Sequence, residues 1–139
     1  VLFVGKIASR VLDPAIRKLL RGPLDTFEKL EVAVALVRAP GRALSIPELA
    51  RTATLTTDQI RRGIDDLQAA KLVNDAGGLV RLVVKPADEP AFIALADLHA
   101  RDASAIAVAM SELALDKIRG MTAHAFAEAF QTGRKKDDS

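Results

Sequence analysis

The sequence predicts a mainly α fold with a small β-hairpin, and three observations carry that prediction. Apolar residues recur at helical spacing along most of the chain. Cap signals of the Ser/Thr/Asp-x-x-Glu/Gln kind stand before three of those runs. Two short apolar runs, Leu72-Val73 and Leu79 to Val84, flank Asn74-Asp75-Ala76-Gly77-Gly78, a turn composition that bends a chain back on itself.

Taken in order, Asp13-Pro14 sets a cap before a residue preferred at the first helical position, and Ile16, Leu19 and Leu20 follow until Gly22-Pro23 stops the helix. Asp25-Thr26-Phe27-Glu28 has the form of a capping box, opening a helix to about Arg38. Its Leu30, Val32, Ala33, Val34, Leu36 and Val37 are apolar nearly all round, as a helix buried between neighbours requires. Ala39-Pro40-Gly41 ends it, and Arg42-Ala43-Leu44 is long enough for a short edge strand.

A second box, Ser45-Ile46-Pro47-Glu48, starts a short helix with Leu49 and Ala50 inward, and a turn is expected at Thr52 to Leu55. A third, Thr56-Thr57-Asp58-Gln59, opens a helix to about Lys71 whose inward stripe is Ile60, Ile64, Leu67 and the stem of Lys71. The hairpin follows. Pro86 cannot extend its ladder, and Asp88-Glu89-Pro90 begins a new helical region. Helix, tight turn, helix and hairpin, in that order, make a winged helix-turn-helix, here followed by C-terminal helices.

From Ala91 to Phe130 three helical pieces are expected. The first holds Phe92, Ile93, Leu95 and Leu98; Asp102 caps a second with Ile106, Val108 and Met110; Ser111 caps a third with Leu115, Ile118, Thr122, Phe126 and Phe130 along one side. The chain thus divides into an N-terminal helical arm (1–23), a winged domain (24–86), a helical extension (87–131) and a charged tail (132–139) expected to be disordered.

Composition bounds the function. Twenty basic residues against 18 acidic ones give a net charge of +2, too near balance to announce nucleic acid by itself. Charge is unevenly placed: residues 1–30 carry six bases and three acids, residues 31–86 eight and six, and residues 87–139 six and nine. The absence of cysteine removes thiol chemistry and suits a reducing cytoplasm, the expected location. The opening Val1-Leu2-Phe3-Val4 run is far short of the roughly 20 apolar residues of a membrane span, and no targeting segment is read in it. Without Trp or Tyr, stacking on single-stranded nucleic acid is not expected.

Residues 26–84 resemble the winged-helix domains of bacterial transcriptional regulators, in the broad group that includes the MarR-like ones. The likeness is carried by Phe27-Glu28-Lys29-Leu30-Glu31-Val32, by Ser45-Ile46-Pro47-Glu48-Leu49-Ala50, and by the run from Ile60 to Val73, which ends in an Ala-x-x-Leu-Val phrase. The whole chain is also similar to bacterial proteins whose C-terminal helical segment ends in a phrase like Phe126-Ala127-Glu128-Ala129-Phe130 followed by basic residues. The resemblance implies regulation of transcription by binding double-stranded DNA; the residues themselves lead to no expectation of enzyme activity or of a cofactor.

In such a fold the helix after the turn enters the major groove and the wing touches the flanking backbone, which makes Thr56, Thr57, Gln59, Arg61, Arg62 and Arg81 the DNA-binding candidates. Gln pairs bidentately with adenine and Arg with guanine, while threonine hydroxyls suit phosphates. Arg10, Arg17, Lys18 and Arg21 add phosphate contacts if the first helix lies beside this reading head. Against this, a helical wheel places Asp58, Arg62, Asp65, Asp66 and Ala69 outward. The pairs Asp58/Arg62, Arg62/Asp66 and Arg61/Asp65 are each four apart, so each arginine has a carboxylate within reach on its own helix. The alternative is a winged-helix protein-interaction module without sequence-specific DNA binding.

His99 with Asp97 and Asp102, and His124 with Glu128, lack a compact ligand set and are read as helical polar pairs, so no metal is expected. No nucleophile stands beside a base, and Gly77-Gly78 belongs to the hairpin. The small residues Ala103, Ala105, Ala107 and Ala109, with Phe126 and Phe130 as anchors, suit a homodimer interface; covering the winged core within one chain is the other use they serve.

Overall fold

The computed structural model describes residues 12–138, and the side chains of residues 12–129. Among the described residues six α-helices and three strands follow one another: α1 (Pro14–Arg21), α2 (Phe27–Arg38), a single 3-10 turn (Pro40–Arg42), β1 (Ala43–Ser45), α3 (Ile46–Ala53), α4 (Thr57–Ala69), β2 (Val73–Ala76), β3 (Leu79–Leu82), α5 (Glu89–Arg101) and α6 (Ala103–Asp138). The protein is mainly helical with a small antiparallel sheet, in the element order of a winged helix-turn-helix. Among the described residues no helix is long and apolar enough to cross a membrane.

α2 is the centre. Leu30, Val32, Ala33, Val34, Ala35 and Leu36 are all buried, because α3, α4, α5 and β3 surround it. Its start differs from expectation. Thr26 is the cap, its hydroxyl accepting from the Lys29 amide at 3.4 Å, so Lys29 and not Glu28 occupies the third position and no box closes. Lys29 instead donates to Asp25 at 2.8 Å.

The other two boxes form as the sequence requires. Ser45 accepts from the Glu48 amide (3.3 Å) while Glu48 accepts from the Ser45 amide (3.1 Å); Thr56 and Gln59 do the same at 3.1 and 2.9 Å. α3 runs to Ala53, so the turn of the helix-turn-helix centres on Thr54, at φ +56, rather than starting at Thr52. α4 buries Ile60, Ile64 and Leu67 as expected, but ends at Ala69. Lys71 lies outside it at φ +63 with an exposed side chain, and the Leu72 amide returns to the Leu67 carbonyl (2.9 Å) as in a Schellman ending. The expected inward Lys71 stem is therefore a correction: the turn sends it outward.

The strands order as β1-β3-β2, with Leu44 opposite Val80 and Ala76 opposite Leu79. Only Gly77 and Gly78 remain between the paired strands, both at positive φ, as a primed two-residue turn demands. Val80 and Leu82 point into the core; Leu79 and Arg81 point away.

One apolar core runs from Leu12 to Leu113, so α1, α5 and the start of α6 share it with the winged portion. α1 packs chiefly on α5 and α6 through Ile16, Leu19 and Leu20. Arg42 donates to Glu89 at 2.7 Å and ties the entry to β1 to the first turn of α5. Arg38 donates to the Ala96 carbonyl (2.7 Å), and His99 meets Glu31 at 2.9 Å, which fastens α5 to α2. Of the apolar residues of α5, Phe92 and Leu95 are buried while Ile93 is exposed.

The C-terminal region holds two helices, not three. Asp102 does accept from Ala105, at 3.2 Å, but Ser111 caps nothing. Ile106, Met110 and Leu113 must stay on one face to reach the core, and the residues about Ser111 are good helix formers, so the helix passes through it. It continues to Asp138, through most of the tail expected to be disordered.

Candidate nucleic-acid interface

The helix-turn-helix is set by packing at one point above all. α4 crosses α2 where Gly63 faces it, and a methyl group at Gly63 would lie 3.1 Å from the Glu28 carbonyl oxygen and 3.3 Å from Val32 Cγ2. The glycine permits the close approach, and so fixes how far α4 stands off the core. Sequence reading passed over it, although a glycine between Ile60, Ile64 and Leu67 is the signal such an approach leaves.

The six candidate residues fall into two groups. Thr57, Arg61 and Arg62 are exposed on the first turns of α4. Among the described residues, Arg61 and Arg62 take no part in any ion pair within 4.0 Å, and the same holds for Asp58, Asp65 and Asp66. The expected intrahelical pairing is thus corrected: such pairs contribute only about 0.2–0.5 kcal/mol, too little to hold long exposed side chains in one rotamer. Both guanidinium groups stand open to solvent.

The second group is already engaged. Thr56 and Gln59 hold each other in the capping box, which occupies the Gln59 side-chain oxygen and leaves its NH2 as donor. A bidentate pairing of Gln59 with adenine would have to open that box. Arg81, on the outward side of β3 between Ala43 and Asn74, donates to the Gly41 carbonyl at 3.1 Å. Its other guanidinium nitrogens remain for a phosphate.

The basic residues of the first helix do not join the reading head. Arg17, Lys18 and Arg21 are exposed on α1, whose main neighbours are α5 and α6, while α4 rests on α2 and α3; Arg10 lies outside the described residues. Asp75 is exposed beside the wing turn. Glu48 lies below its ordinary value of 4.5, because the Ser45 amide and hydroxyl bind its charged form, with Arg51 adding to this.

A cleft of about 480 Å³ lies elsewhere, lined by Leu20, Arg21, Asp25, Met110, Leu113 and Lys117 among others, with no residue from α3, α4 or the sheet. Asp25 there already meets Lys29 and, at 3.7 Å, Lys117. His99 turns to Glu31 and Arg38 rather than to Asp97 or Asp102, and His124 pairs with Glu128 at 3.1 Å on the exposed part of α6. No family model, curated protein or solved structure matches the chain.

Proposed function

We propose that the protein is a DNA-binding transcriptional regulator that lays α4 in the major groove of double-stranded DNA and sets its hairpin against the flanking backbone. The observation that carries this reading is the state of Arg61 and Arg62: exposed on the helix after the turn, and among the described residues bound to no carboxylate despite three within one turn. Arg61 and Arg62 read guanine, Thr57 and Arg81 hold phosphates, and Gln59 first serves as cap. The mechanism is binding, not chemistry, and bacterial cytoplasm is its setting.

The test is a fluorescence titration on genomic fragments at two salt concentrations. Specific fragments bind, affinity falls steeply with salt, and Arg62→Ala costs about 1–3 kcal/mol and relaxes specificity. Absence of binding at low salt defeats the reading. The second reading, an interaction module for a basic protein surface, is favoured by exposed Asp58, Asp65, Asp66 and Asp75. Asp65→Asn with Asp66→Asn separates the two, since it strengthens DNA binding and weakens a contact with a basic partner.

A further inference from the structure

α6 has two apolar faces. Ile106 and Leu113, seven residues apart, are buried against the domain core. Val108 and Leu115, each two residues further on, lie about 200° round the same helix, with Ile118 beside them. These three are 57, 50 and 58% exposed. Placed on a heptad, Val108, Leu115 and Thr122 take one seam position, and Ser111, Ile118 and Ala125 the other. Every one of these six side chains is exposed, so the folded body leaves the seam clear.

We propose that α6 pairs with α6 of a second copy of this chain, antiparallel, about a two-fold axis between Asp116 and Lys117. In that register Leu115 meets Ile118 of the second copy and Ile118 meets its Leu115, giving two central apolar layers. Val108 then meets Ala125 of the second copy. In an antiparallel pair the residues just after Ser111 and Ile118 face one another across the seam, so Glu112 lies opposite Arg119 of the second copy, twice by symmetry. On the other edge Met121 covers Ala114 of the second copy. Arg119 is free to make the exchange, since its contact with Asp116 is 3.6 Å long and well exposed.

The charges decide the direction. A parallel pair sets Ala107 against Glu112 and Ala114 against Arg119, joins no opposite charges, and stacks Thr122 on itself. A two-fold interface makes each contact twice, so every complementary pair counts double. The proposal rests on α6 alone and stands apart from the DNA reading. Joined to that reading, it gives two copies of α4 related by a two-fold axis, as a palindromic operator requires.

The test uses the full chain without DNA. Light scattering across the micromolar range finds the mass rising from 14.8 kDa toward twice that value. Ile118→Glu, outside the core, leaves helix content and thermal unfolding of the monomer unchanged and raises the dimer dissociation constant about a hundredfold. Glu112→Arg weakens the dimer, and adding Arg119→Glu restores it. Because the chain lacks cysteine, Glu112→Cys with Arg119→Cys forms a covalent dimer on mild oxidation. Those two positions are about 10 Å apart along one helix, too far to bridge within a chain. Val108→Cys alone forms none, its two copies being roughly 25 Å apart along the axis. A monomeric mass throughout the range overturns the pairing; cross-linking through Val108→Cys but not through the 112/119 pair overturns the antiparallel register.

Discussion

The folded body between Leu12 and Leu113 and the part of α6 beyond Leu113 are built from the same kinds of residue and treat them in opposite ways. In the body, most helical leucines, isoleucines and valines turn toward a neighbour, and Leu24, Leu36, Leu49, Ile60 and Leu67 have no exposed surface at all. Beyond Leu113 every described side chain is exposed, including Leu115, Ile118 and Met121. The first region needs its apolar residues for folding. In the second, Leu115, Ile118 and Met121 stay half or more exposed, which makes them available for contact with another chain.

Substitutions break or sharpen this contrast. The largest effect is expected from Leu49→Ala, which empties a fully buried site and should cost about 3 kcal/mol in denaturant unfolding. Leu115→Ala, measured dilute enough to keep the chain monomeric, should stay within about 0.5 kcal/mol. Equal losses would mean that α6 is held along its length by the body.

The two helical glycines extend the comparison with opposite signs. Gly63→Ala places a methyl group 3.1 Å from the Glu28 carbonyl of the central helix, so α4 and α2 must part by a few tenths of an ångström and the chain should lose about 1–3 kcal/mol in denaturant unfolding. A methyl group at Gly120 meets nothing within 4 Å, and Gly120→Ala should stabilise α6 by about 0.5–1 kcal/mol, read as added helix content. Destabilisation by Gly120→Ala would place a partner against that face.

The smallest effect is electrostatic and lies at the junction of the two regions. Burial opposes ionisation of Asp25, but the hydrogen bond and charge of Lys29, and then the charge of Lys117 on α6, outweigh it and hold its carboxyl below 3.8. Glu48 is held below 4.5 by its capping box. Both carboxyls are thus favoured as charged groups in the folded chain. They add stability at neutral pH, and lose it as the pH falls from about 4.5 through their lowered values. Asp25→Asn should flatten that acid limb in a pH series of unfolding curves, and Lys117→Met should flatten it less.

Much of this architecture is legible in the sequence, and the legible parts are local. Ser45 with Glu48 and Thr56 with Gln59 state their helix starts within four residues. Gly77-Gly78 states the hairpin, and the spacing of Ile60, Ile64 and Leu67 states which side of α4 is inward. Local reading erred where two neighbouring signals compete. Asp25 and Thr26 both suit a cap, and the choice fell to Thr26 once Asp25 had Lys29 as partner. Ser111 suits a cap too, but a cap needs the backbone to leave the helix, and the reach of Ile106 and Leu113 to one core forbids that.

The candidate site was legible as a set of residues but not as a state. Sequence spacing places Arg61 and Arg62 within reach of Asp58, Asp65 and Asp66; whether the ions meet depends on rotamers, and here they do not. By itself the sequence determined where helices start, which stripe of each is apolar, and how the hairpin turns, because these follow from interactions a few residues long. Only the tertiary structure decided that Gly63 sets α4 on α2, that His99 meets Glu31 across 68 positions, and that one face of α6 is buried while the opposite one is left open. Those outcomes depend on which surfaces the fold brings together, which lies beyond interactions a few residues long.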